Sequence, residues 1–106
     1  MTGLKGFQKT YLRGIAHDLK PIVMIGKEGL VAGVIKSVDD DLLRHELIKV
    51  RFVSFKEKEQ KKALAAELMA QTNSAMVGMV GHTLTLYRQH PDPEKRRIQV
   101  PARQDA

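Results

Sequence analysis

The residues whose types and spacing could do chemistry are Gly26-Lys27-Glu28-Gly29. Before them, Pro21-Ile22-Val23-Met24-Ile25 is an apolar run that reads as a buried strand. After them, Leu30, Val31, Val34, Ile35, Val38, Leu42 and Leu43 recur at helical spacing. The four residues are therefore expected to be a tight strand-to-helix turn, with glycine at both ends for positive φ and close approach. A helix starting near Leu30 would aim unpaired N–H groups and the positive end of its dipole over the loop. Such an arrangement binds anions. In a chain of net charge +6 the commonest polymeric anion is nucleic acid.

Other cations could extend that site. Lys5, Lys9 and Arg13 recur at four-residue intervals on one side of a predicted first helix, where like charges repel and cost a few tenths of a kcal/mol. Lys20 precedes the first strand. Lys49 and Arg51 alternate with Ile48, Val50 and Phe52, the period-two pattern of a strand with one buried and one wet face. Glu28 argues against the loop, because it puts a carboxylate where a phosphate would sit, and Lys27 has to offset it.

Competing chemistries fail on spacing. His17, His45, His82 and His90 are scattered, without metal-ligand spacing and without a partnered serine. Asp39-Asp40-Asp41 cannot converge on one ion, because successive helical side chains point about 100° apart. No cysteine is present and no phosphate-binding motif of the Walker or dinucleotide type occurs. The expectation is a non-enzyme with no cofactor, no metal, no small-molecule substrate and no membrane partner. With no signal-peptide core either, the expected location is cytoplasmic.

The elements that must position these residues follow from periodicity. One hundred and six residues suffice for one domain and a single core. A first helix is predicted over 4–17, its apolar stripe being Leu4, Phe7, Tyr11, Leu12 and Ile15. The second helix covers about 30–44, the second strand 45–53 and a third helix 56–71. Ala75–Val80 and Leu84–Arg88 then read as a hairpin closed at Gly81-His82. The expected class is α/β and two-layer: helix-strand-helix-strand-helix-strand-strand around a four-stranded mixed sheet. Right-handed crossovers would make the first three strands parallel neighbours, put two helices on one face and leave the other partly open. Residues 1–90 form the domain. Residues 91–106, with three of the four prolines and Lys95-Arg96-Arg97, form a basic, loosely held tail pinned by Ile98 and Val100.

The segments Gly14-Ile15-Ala16-His17-Asp18-Leu19-Lys20-Pro21, Gly26-Lys27-Glu28-Gly29-Leu30, His45-Glu46-Leu47-Ile48-Lys49-Val50 and Gly81-His82-Thr83-Leu84-Thr85-Leu86-Tyr87-Arg88 carry a family resemblance. In that order they resemble the CRM domain, named for chloroplast RNA splicing and ribosome maturation, and most closely its stand-alone bacterial YhbY-like members. The resemblance implies a fold similar to the C-terminal domain of translation initiation factor three. It also implies KH-like RNA binding through the GxxG loop, and association with large-subunit ribosomal RNA or its precursor particle. The alternative reading is a protein-interaction module that docks on ribosomal or assembly proteins through the open sheet face, with Lys49 and Arg51 making protein contacts. The few aromatic residues disfavour a base-stacking platform.

Overall fold

The computed structural model describes residues 3–102. Along the chain lie α1 (Gly6–Ala16), β1 (Val23–Ile25), α2 (Ala32–His45), β2 (Leu47–Phe52), α3 (Lys58–Thr72), β3 (Ala75–Val80) and β4 (Thr83–Tyr87). The order matches the periodicity, and a 3-10 turn at Pro93–Lys95 follows.

Strand order in the sheet is β1-β2-β4-β3. β1 and β2 are parallel, while β4 runs antiparallel to β2 on one side and to β3 on the other. This corrects the expected neighbourhood of β2 and β3: the two run in the same direction, but β4 folds in between. Side-chain burial explains the choice. β4 buries Leu84 and Leu86 toward one face and Tyr87 toward the other, whereas β3 contains Gly78 and ends at Val80, which is 79% exposed. The strand apolar on both faces takes the interior, and the poorer one takes the edge.

Ile48, Val50 and Phe52 of β2 share one sheet face with Val23, Ile25, Leu84 and Leu86, and onto it pack Val38 and Leu42 of α2 and Ala65 and Leu68 of α3. That is the expected two-layer unit. On the opposite face Leu47, Val77 and Tyr87 receive Leu12 and Ala16 of α1, backed by Leu4, Ile98 and Val100. α1 therefore adds a partial third layer over one end of that face. Its expected stripe shrinks accordingly: Tyr11 and Ile15 are 44% and 39% exposed, and one i, i+4 pair makes the contact.

Two charged residues lock the ends. Arg88 donates from Nη1 to Asp39 Oδ1 (2.6 Å) and Thr72 O (2.7 Å), and from Nη2 to Asp39 O (3.0 Å), so it ties α2 to the end of α3. Of the acidic run read as a solvated turn, Asp39 is thus engaged, and Asp40 pairs with Lys36. Glu46 ends α2 with a positive φ (65°), its N–H donating to Leu42 O and its C=O accepting from Arg88 N. Its fully buried carboxylate accepts from His90 N (2.7 Å) at Oε2 and from Arg97 N (2.5 Å) and Ile98 N (3.0 Å) at Oε1. A buried carboxylate needs such donors. The segment after β4 is held at Ile98 and Val100 and clasped by Glu46, more closely than its composition suggests. Residues 103–106 of the expected tail lie outside the described residues.

Candidate nucleic-acid interface

At the C-terminal end of β1, Ile25 O accepts from Val53 N (2.9 Å) and Ser54 N (3.2 Å), which fixes the β2–α3 connection beside the glycine loop. The loop closes through Gly29 N–H to Gly26 O (3.0 Å). Gly29 has φ 72°, where an L side chain is strained, and it is buried beneath Phe55. Gly26 differs from expectation: its φ is not positive, and an added Cβ would meet nothing within 4 Å. Glycine is required by the turn at one end only. The space before Gly26 is open. Lys27 and Glu28 are exposed and neither enters an ion pair among the described residues.

The helix N-terminus also sits differently. α2 starts at Ala32, so Leu30 and Val31 separate its first amides from the loop. Val31 offers no side-chain cap and the first turn holds no acid, so the positive helix end is uncompensated, although set back from the loop.

Sheet register places the remaining cations. On the face that α1 partly covers, Met24, Arg51, Thr83 and Val80 form one cross-strand row, and Lys49, Thr85 and Gly78 form the next. α1 stops short of the first row, where Met24 is half exposed and Arg51 is exposed. A cleft of about 430 Å³ opens there between α1 and the sheet, lined among others by Arg13, His17, Lys49 and Thr83, and by no acidic residue. Lys49 also lines a second cleft of about 300 Å³ together with Lys20 and His45. Arg13 and Lys49 thus share the first cleft, Arg51 stands in the next cross-strand row of the same face, and Lys20 lies across Lys49 in the second cleft, beside the covered residues Leu47 and Ile98. Because β1 and β2 are parallel, that face leads to the end of the sheet that carries the Gly26–Gly29 loop.

The helical row is divided between different contacts. Arg13 donates to Val77 O (3.3 Å) and Thr10 Oγ1 (3.2 Å), so it holds α1 to β3 while lining the cleft. Lys5 and Lys9 flank the turn that Gln8 ties to Pro101 O (2.9 Å), at the other end of the helix. The β3–β4 turn, expected only as the closure of a hairpin, also gathers charge. Phe52 N donates to His82 O, and Lys61 Nζ donates to Gly81 O (2.6 Å) and lies 3.3 Å from His82 Nδ1. Partial removal from water, then the charges of Lys61, Lys56 and Arg51, hold His82 below its ordinary pKa of 6.5. The signal available in the sequence was the Gly81-His82 turn itself, whose place beside β2 depends on the inserted β4.

The described residues contain no acidic or histidine cluster able to hold a metal, and no helix long and apolar enough to cross a membrane. The family model for the CRS1/YhbY (CRM) domain matches residues 4–88. The chain belongs to the CRM domain family. This CRM domain is 41% identical over 101 residues to an RNA-binding protein of Haemophilus influenzae, covering 95% of this chain and 98% of that one. It is 37% identical to a protein of Bacillus subtilis named a probable RNA-binding protein, covering 92% and 99% of the two chains. The solution structure of a hypothetical Staphylococcus aureus protein, described as a candidate RNA binder, superposes with a TM-score of 0.78 at 39% identity, covering 92% of this CRM domain and 99% of that chain. The relatives named above are described as RNA-binding proteins, not as enzymes.

Proposed function

We propose that the protein binds structured RNA by its phosphate backbone, and that its target is large-subunit ribosomal RNA or the precursor particle. The observation that carries this reading is the row of Arg13, Lys49 and Arg51 along the sheet face that leads to the Gly26–Gly29 loop, with Lys20 beside Lys49 in the neighbouring cleft. Phosphates would be met by these cations and by Lys27, while the open space before Gly26 admits the backbone of a strand. Relatives spanning nearly the whole chain are named RNA-binding proteins, which supports the class of ligand. The ribosomal target rests on the family resemblance.

Exposed Met24 and Val80 on the same face would also suit a protein partner. Titration of the full chain with protein-free fragments of precursor large-subunit RNA separates the readings. Retained, salt-sensitive binding supports an RNA interface. Binding only to assembled particles, and not to naked RNA, supports protein docking.

A further inference from the structure

The face covered by α2 and α3 ends in a groove of about 430 Å³ between α3 and the edge strand β3, on the other side of the sheet from Lys49 and Arg51 and adjoining the His82 turn at Lys61 and Gly81. Its floor holds Met69 of α3 and Met76 and Met79 of β3. Two residues three apart on a strand should point to opposite faces. Here they share one because the pairing register shifts between Met76 and Gly78, so Met76 pairs with Leu86 and Met79 with Leu84, both on the core side. Val77 and Gly78 then both lie on the other face, Val77 under α1, and Met79 returns to the core side. A bulge re-aims side chains, and this one gives the groove both methionines.

Lys58, Lys61 and Lys62 stand at one end of the groove and no acidic residue lines it. Glu59 and Glu67 lie about 100° and 180° round the helix from Lys58. Lysines in the first turn of α3 oppose its dipole, so their placement does not serve the helix. From Lys58 to Met69 the lined stripe spans roughly 16 Å, three helical turns.

We propose that this groove docks an acidic amphipathic helix of a partner protein. The partner's apolar side chains settle among the thioethers, which adapt to irregular shapes, and its carboxylates meet Lys58 and Lys62. The flexible, apolar methionine floor distinguishes the site from a phosphate track, which needs donors along its length.

A photo-crosslinking phenylalanine analogue placed at exposed Ala66, which lines the groove, tests this in cells, with the same analogue at exposed Gln60 as control. The expected result is a protein adduct at 66 and not at 60, mapping to an acidic amphipathic helical segment. That segment, synthesised as a peptide, should shift the methyl resonances of Met69, Met76 and Met79 in the full chain. Lys58→Glu with Lys62→Glu should weaken it at least tenfold while leaving the free protein's methyl spectrum in place. An adduct to RNA, to a second copy of this chain or to a neutral or basic segment overturns the proposal. So does the absence of an adduct, or a peptide affinity that the double substitution leaves unchanged.

Discussion

Glu46→Gln is the substitution whose effect can be worked most directly from the structure. The carboxylate takes three backbone N–H groups, two at Oε1 and one at Oε2. The amide oxygen of glutamine can keep Arg97 N–H and Ile98 N–H, but its NH2 group then faces His90 N–H, donor against donor. One charge-assisted bond, worth about 1.5–3 kcal/mol, is lost, and two others fall to neutral strength. Relief from burying a charge offsets part of this, which leaves a net loss of about 2–3 kcal/mol. For a chain of this size that is a fall in melting temperature of roughly 10–20 °C. Urea unfolding should show the loss, and hydrogen exchange should show it locally at the His90, Arg97 and Ile98 amides. Glu46→Gly separates side chain from backbone, since it relieves the φ of 65° yet still frees the segment. An unchanged melting temperature in Glu46→Gln, with the three amides still protected, would refute the clasp.

Four further outcomes test the interface. RNA affinity should fall with salt at a log–log slope of magnitude about 3–5, as five phosphate contacts from Arg13, Lys20, Lys27, Lys49 and Arg51 require; a flat plot removes the electrostatic reading. Replacing Lys27 and Glu28 by Asp-Asp should leave the melting temperature within a degree or two, since α2 begins three residues beyond the loop, while RNA affinity collapses; wild-type affinity would make the loop a plain turn. Arg13→Gln should weaken RNA binding and also destabilise by about 1 kcal/mol through its bonds to Val77 O and Thr10, whereas Lys9→Gln should do neither; equal effects in the binding assay would restore the helical row as a unit. His82, held below 6.5, binds a proton less readily folded than unfolded, so its neutral form adds stability above about pH 6.5 that is lost as pH falls through the folded value; bound RNA should raise its titration midpoint by NMR, and a midpoint already at or above 6.5 in the free protein refutes the cation cluster.

Element order was legible because each apolar run has one dominant period, two in β2 and near 3.6 in α2. Strand order was not, since nothing local distinguishes a hairpin that folds outward from one that inserts, and only β4's burial on both faces decides it. The same step hid part of the site. Inserting β4 carries Gly81-His82 next to the end of β2, where Lys61, Lys56 and Arg51 gather, and no spacing in the sequence connects those four positions. Lys49 and Arg51 were readable from alternation. The division of Lys5, Lys9 and Arg13 was not, because four-residue spacing fixes a helix face but not which part of it meets the sheet. Glu46 was missed for a related reason: its partners lie more than forty residues away, and a glutamate beside a histidine carries no sign of burial.

These features share one physical cause. A helix of eleven residues is about 16 Å long, too short to cover the whole of one sheet face. At the covered end the gap left by α1 is filled by Ile98 and Val100, and because that segment has no strand to pair with, its amides need an acceptor. Glu46, fully buried at its positive-φ position, supplies it. At the other end no element closes the face, and Lys49, Arg51 and threonines stand there beside the exposed side chains of Met24 and Val80. The clasp and the cationic face are therefore two consequences of one short helix. Freeing residues 89–102 by Glu46→Gln should uncover Leu47 and Tyr87 while leaving Arg51 and Lys27 where they are, so stability should fall well before RNA affinity does. If affinity fell first, the segment with Lys95, Arg96 and Arg97 would belong to the interface, and the boundary at residue 90 would have to move.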